Sequence, residues 1–424
     1  MDTITYGQYL SLLRRELIPA MGCTEPIALA YCAAKAREVL GCLPDRVAIG
    51  ASGSIIKNVK SVIVPNTNHM KGIPAAAVAG IVAGDASRQL EVIASVTEEQ
   101  TQQMRAYLEK TPITVEHVDN GLTFEILVTV YHGDDSASVR IVNYHTNIVH
   151  IERNGQVLLD NPVEGESESG LTDRACLNLA DILDFAESVD IADIKSILDR
   201  QIQYNSAIAE EGLRGNYGSN IGSVLLRTYG DDNVMVRAKA MAAAGSDARM
   251  NGCEMPVVIN SGSGNQGMTT SLPVIEYAKE LKVSDEKLYR ALALANLTTI
   301  HQKTSIGRLS AFCGAVSAGA GAGAGIAYLM GTDLDGISHT VANAIATTGG
   351  IVCDGAKASC ASKIATAVEA GILGYNMHVQ NQNFQPDDGL VGDTPEETIA
   401  NIGRLGKEGM KGTNEEIIKI MVGE

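Results

Sequence analysis

"AVSAGAGAGAGIAYLM", residues 315–330, is the chain's foremost candidate for a membrane span. It is either a membrane span or the centre of a soluble helical layer. It falls short of the roughly 20 apolar residues that cross a bilayer, and its Gly and Ala are weak hydrophobes. We read it as a buried helix whose small side chains let other helices approach closely. The sequence around it agrees. "VMVRAKAMAAAGSDARM" (234–250), "EKLYRALALANLTTIHQKTS" (286–305) and "ASKIATAVEAGILGYNM" (361–377) are long, Ala-rich and helical in spacing. With 43 Gly, 4 Phe and no Trp, the core is built from Ala, Ile, Leu and Val.

Upstream the pattern changes. "DNPVEGESESG" (160–170) is acidic, rich in Pro, Gly and Ser, and unpatterned, which marks a domain boundary. Before it, helical stretches at 6–20 and 25–40 alternate with short β-type runs at 46–52, 61–65 and 91–96. Thr97, followed by Glu98 and Glu99, reads as a helix start. Runs at 113–118, 122–133 and 138–159, with "NG" at 154–155, predict an antiparallel meander ending in a hairpin. The expected fold is an α+β domain over 1–165 followed by an all-α, Gly/Ala-rich domain over 171–424. No repeat of 20–50 residues is evident.

The charge balance limits the partners. Lys+Arg 33 against Asp+Glu 50 gives −17, which disfavours a nucleic-acid backbone or an anionic membrane surface. No helix-turn-helix with basic flanks is present. The N-terminal "MDTITYGQYLSLLRREL" lacks the apolar segment of a signal peptide, so the expected location is the cytoplasm. There the eight cysteines are expected as thiols or metal ligands, not disulfides.

Cys32, Cys42 and Cys176 sit in or beside apolar helical runs and read as packing or incidental thiols, and Cys253 as structural. Cys313, Cys353 and Cys360 each lie beside Gly or Ser in the helical half, spaced by 40 and then 7. No C-x-x-C pair occurs, so zinc ribbons and two-cluster ferredoxins are excluded. Spacing alone leaves packing thiols and a metal site both open. Three thiolates on a cubane iron–sulfur cluster would leave one iron free to act as a Lewis acid. Cys23, in "AMGCTEPIALAYC", precedes a helix that Thr24 can cap and Glu25-Pro26 can open. The helix dipole there favours thiolate, so Cys23 is either a base or nucleophile, or an ordinary helix-start cysteine.

Three polar stretches accompany the thiols. "NSGSGNQGMTT" (260–270) offers backbone N–H groups ahead of a helix and can cradle a carboxylate or phosphate, or simply enter the helix. "ASGSIIKNVKS" (51–61) supplies Lys57 and Asn58 at a strand edge. His145, Thr146 and Asn147 form a polar insertion between strand runs. His301, Lys303 and Arg308, upstream of Cys313, either hold a substrate carboxylate or pair with acids. No lysine stands in a Schiff-base context, so pyridoxal phosphate is not expected.

"GCTEPIALA", "YHTNIVHIE", "GSDARMNG", "NSGSGNQG", "RLSAFCGA" and "VCDGAKASC", in this order, resemble the L-cysteine desulfidase family, relatives of the iron–sulfur L-serine dehydratases. The resemblance runs from about residue 15 to the C-terminus. It implies a serine-dehydratase-like two-domain architecture, the first part like the β chain and the second, cluster-binding part like the α chain. It also implies an oxygen-sensitive [4Fe-4S] cluster on Cys313, Cys353 and Cys360, with Cys23 as proton acceptor. Asn58, His145, Thr146, Asn147, Ser261, Ser263, Gly264, Asn265 and Gln266 become substrate-pocket elements. The activity implied is β-elimination of a small amino acid, cysteine to pyruvate, ammonia and sulfide, in a homodimer. Serine dehydration is the alternative, and a non-catalytic iron–sulfur sensor is a different class.

Overall fold

The structure is a computed structural model that describes residues 1–163, 174–307 and 310–423. Most of the 160–170 stretch, and Arg308, lie outside the described residues. The chain begins with α1 (Thr3–Glu16), β1 (Pro19–Met21), α2 (Thr24–Leu40), β2 (Arg46–Ala51), α3 (Gly53–Val59), α4 (Gly72–Ala83) and α5 (Glu98–Lys110). Strands β3 (Ile113–His117), β4 (Glu125–His132), β5 (Asp135–Val142), β6 (Ile148–Arg153) and β7 (Gln156–Asp160) follow. Then come α6 (Leu179–Ser188), α7 (Ile191–Arg214), α8 (Ile221–Tyr229), α9 (Val234–Met250), β8 (Pro256–Val258) and α10 (Gly264–Leu281). The last helices are α11 (Asp285–Ile306), α12 (Gly314–Leu329), α13 (Leu334–Thr348), α14 (Cys360–Val379), α15 (Pro395–Arg404) and α16 (Lys411–Val422).

The first part is mixed α/β and the second is helical. A six-stranded sheet in the order β3-β2-β4-β5-β6-β7 carries the expected meander over β4–β7, with Asn154 and Gly155 both at positive φ in its hairpin turn. Among the described residues only β2 and β3 pair in parallel. Helix α2 lies on this sheet, its Cys32 thiol against the Ile126 and Val139 carbonyls. Helix α4 packs behind α2 so closely that Gly80 rests on the Ala30 carbonyl.

Two expected strands are not there. Residues 61–65 contribute a single bridge, Ile63 to Lys71, and 91–96 close a 3₁₀ turn. Val62, Val64, Val92 and Ile93 are buried, so these short apolar runs fill the core without entering the sheet. The helix expected over 6–20 ends at Glu16, and residues 19–21 become β1, which pairs with β8. Helix α1 packs in the helical core, with Tyr9, Leu12 and Leu13 beside Phe185, Ile194 and Leu198.

In the helical part, residues 315–330 fall almost entirely in α12, nearly all of it buried. Its glycines are steric necessities. A Cβ on Gly371 of α14 would overlap the Gly319 carbonyl, and one on Gly323 would press on Gly371. Among the described residues no helix is long and apolar enough to cross a membrane. The packing of α12 against α10, α11, α13 and α14 fixes Cys313 at its N-terminus.

Candidate functional site

Cys313 is the N-cap of α12 and Cys360 the first residue of α14. Cys353 lies on the connection between α13 and α14. Two backbone bonds, Cys313 N to Ile351 O at 3.0 Å and Cys353 N to Ala311 O at 2.6 Å, zip the loops before α12 and α14 together. The three thiols are within electrostatic reach of one another. Burial pushes Cys313 up to about 12 with Cys353 adding to the rise, and burial also raises Cys360. Cys360 Sγ donates to Gly355 O.

A chain of contacts leads from these thiols to Cys23, and a second from α2 and α3 to the Cys353–Cys360 loop. Gly314 backs onto the Gln266 amide, where a Cβ would sit 2.6 Å from Cδ. Next to Gln266, Asn265 Oδ1 accepts from Arg249 Nη1 at 3.2 Å. Arg249 Nη2 donates to Gly22 O at 2.8 Å and points at Cys23 Sγ at 3.9 Å. Thr24 Oγ1 and Asn58 Nδ2 both donate to the Glu25 carboxylate, tying the start of α2 to α3. Lys57 O accepts from Lys357 Nζ, and Gly355 lies against the same carbonyl, which returns to the Cys353–Cys360 loop. Cys360 also lies within electrostatic range of Cys23 and adds to the rise of its thiol.

Cys23, not Thr24, is the N-cap of α2, and its side chain makes no capping bond. That leaves the thiol available, but at 6% exposure burial pushes it up to about 12, against the pull of Arg249. The helix-start position alone therefore does not yield a thiolate; desolvation outweighs the dipole.

The 261–266 turn is held from below. Asn260 exchanges backbone bonds with Ser263, and its amide donates to Asn296, which pairs with Gln201. Ser261 Oγ donates to Asn260 Oδ1, and Ser263 caps α10 by accepting from Gln266 N. Gln266 Oε1 is buried without an acceptor's partner among the described residues. His145, Thr146 and Asn147 form the turn between β5 and β6, at the sheet end that also carries the start of α3. His145 stands edge-on to Phe124, and Asn147 Nδ2 donates to Val142 O within its own loop. His301 bonds Glu396 at 2.7 Å and lines a separate cavity of about 280 Å³ with Arg174, Thr304 and Ser305.

Among the described residues no three Cys, His, Asp or Glu side chains are close enough to hold a single metal ion. A cubane distributes its thiolates over different irons, so its donors stand at separate corners. The surroundings fit such an anionic group. Lys57 and Lys303 are 1% and 4% exposed, and neither meets a carboxylate among the described residues. Burial lowers both, Lys303 to about 8, while Cys353 is the first group to oppose that shift in each. Lys357 and Lys363 stand on the same loop and helix, bonded to Asp354 O and Oδ1. Buried cations without anions call for an anion.

Arg249, Glu25 and Lys303 had been given no firm role from sequence. Arg249 and Lys303 lie in helical runs with no acid three or four residues away, a signal that could have singled them out.

The chain belongs to the serine dehydratase alpha chain family, which matches residues 87–419. That range begins within the mixed α/β part, at the 3₁₀ turn after α4. A UPF0597 protein of Desulfitobacterium hafniense is 59% identical over 419 residues, covering 99% of this chain and 97% of its own. UPF0597 proteins of Lachnoclostridium phytofermentans and Treponema denticola are 52% and 45% identical, over 98% and 100% of this chain and 100% and 99% of theirs.

Proposed function

We propose that the protein is a lyase of the serine dehydratase type that eliminates the β-substituent of a small amino acid, with L-cysteine as substrate. The observation that carries this reading is the chain of contacts joining Cys313 to Cys23 through Gln266, Asn265 and Arg249, and the Glu25–Asn58 end of α2 and α3 to the Cys353–Cys360 loop through Lys57. Cys313, Cys353 and Cys360 are the residues that would hold a [4Fe-4S] cluster. When bound, that group supplies a Lewis-acidic iron for the leaving sulfide.

The chain's own residues supply orientation and proton transfer. The turn over Ser261–Gln266 presents backbone N–H groups and the Gln266 amide to a substrate carboxylate. Glu25, fixed by Asn58 and Thr24, offers an acceptor for the substrate ammonium. Cys23, in its thiolate form, takes the α-proton at Sγ: the Cα–H bond breaks, an S–H bond forms, and loss of the β-substituent leaves aminoacrylate. Its tautomer hydrolyses to pyruvate and ammonia. Burial of the site keeps water from competing for the proton.

Two measurements test this reading. Anaerobic enzyme should release sulfide and pyruvate in equal amounts from cysteine; pyruvate from serine alone would transfer the activity to dehydration. Cys23→Ala should retain iron yet lose turnover, and near-normal turnover would remove Cys23 from the chemistry.

A further inference from the structure

His301 reads from sequence as a holder of a carboxylate or the partner of an acid. The fold pairs it with Glu396, in a cavity that the proposed reaction does not use. This cavity lies where the last turns of α11 meet α15. His301, Thr304 and Ser305 share one face of α11 at i, i+3 and i+4, and Glu396, Ile399 and Ala400 share one face of α15 at the same spacing. The segment leading into α6 adds Arg174 and Leu177. Lys303, two residues beyond His301, belongs to the thiol side of α11, so this helix divides the cavity from Cys313 and Cys353. A volume of about 280 Å³ equals roughly nine waters at about 30 Å³ each, room for a molecule of fewer than about ten heavy atoms.

The polar groups divide by what they still offer. Arg174 is 9% exposed and has five N–H donors, of which the described residues engage only one, from Nη2 to Glu16; its Nε is buried without an acceptor among them. Thr304 Oγ1 donates to Ile300 O and Ser305 Oγ to Gln302 O, so both hydroxyls keep only acceptor lone pairs. Glu396 accepts from His301 and from Leu179 N, two of the about four bonds a carboxylate can take. Leu177 and Ile399 are buried and apolar. Arg174 pairs with Glu16 and His301 with Glu396, so the walls carry no excess positive charge and suit a zwitterion better than a bare anion. Donors on one side, acceptors on the other and an apolar wall between them match a carboxylate with a hydrogen-bond donor on the next carbon and a short apolar tail. We propose that this cavity binds a small α-amino acid with a short apolar side chain, its carboxylate on Arg174 and its ammonium on Glu396, Thr304 and Ser305.

The test is titration calorimetry of the full-length protein with L-valine, which has no β-leaving group. Wild type should bind it saturably, one per chain, with a Kd of about 1 mM or tighter. Valinamide, which lacks the carboxylate, and 3-methylbutanoate, which lacks the ammonium, should each bind at least about tenfold more weakly. Ala400→Phe fills the cavity from the exposed side of α15, leaves both ion pairs in place and should abolish binding. Arg174→Gln should weaken it by about 10- to 150-fold, the range for one hydrogen bond to a charged group. No saturable binding in wild type, valine binding unchanged in Ala400→Phe, or 3-methylbutanoate binding as well as valine would each overturn the proposal. If Arg174→Gln fails to fold because Glu16 is left buried and unpaired, Ala400→Phe decides alone. Titration needs neither iron nor turnover, so its failure leaves the lyase reading standing, and failure of that reading leaves this one.

Discussion

Replacing Lys303 with Met should change stability in opposite directions in cluster-free and cluster-loaded protein. Lys303 is 4% exposed on the last turn of α11, and burial lowers it from 10.5 to about 8. A base depressed in the folded state costs stability wherever the unfolded chain is protonated. That cost is complete below about pH 8 and fades as the pH rises toward 10.5. At about 1.36 kcal/mol per unit, the cluster-free protein carries roughly 3 kcal/mol of unfavourable charge burial at neutral pH. Lys303→Met removes it, so the thermal midpoint of the cluster-free variant should rise by a few degrees, with the gain shrinking above pH 8. In the loaded protein the same ammonium faces an anionic cluster beside Cys353, and the substitution should lower the midpoint and speed cluster loss. The assay is anaerobic thermal denaturation by circular dichroism, with visible absorbance followed in parallel. A shift of the same sign in both states would refute the assignment of Lys303 to an anionic site.

Asp247 is fully buried, accepts from Gly222 N, and is pushed up to about 6 by burial. An acid raised in the folded state costs stability once the pH exceeds its unfolded value near 3.8, so Asp247→Asn should stabilise by up to roughly 3 kcal/mol above pH 6 and by almost nothing below pH 4 in denaturant titrations. Gly371→Ala drives a methyl into the Gly319 carbonyl and should cost about 1–3 kcal/mol or more, read as a lower thermal midpoint. Asn296→Ala strands the Gln201 amide, costing about 1–3 kcal/mol, and leaves the Asn260 amide only its bond to Asn296 O; it should loosen the 261–266 turn enough to raise KM for the amino acid.

The features legible in the sequence were those with a local cause. The β4–β7 meander followed from alternation and the Asn154-Gly155 turn, and α5 from Thr97, whose capping box with Gln100 is present. Helix α4 was not read, because "GIPAAAVAGIVA" is apolar on every side and buried all round, with no polar face to set a period. Residues 19–21 and 256–258 pair only because the two cores meet, and three residues carry no strand signal of their own. At the candidate site, cysteine spacing could not show that Cys313 and Cys353 are joined across a two-strand bridge at Phe312 and Val352. Nor could the dipole argument for Cys23 anticipate its desolvation, which depends on its burial in the assembled fold.

We propose that Cys313, Cys353 and Cys360 together hold one iron–sulfur cluster. The most direct test is iron and acid-labile sulfide per chain in anaerobically prepared wild type and in the three single Cys→Ser variants, with Cys253→Ser as control. The account predicts about four irons and four sulfides in wild type and Cys253→Ser, with loss in each of the other three. A wild type without iron, or three variants that keep it in full, would contradict the account.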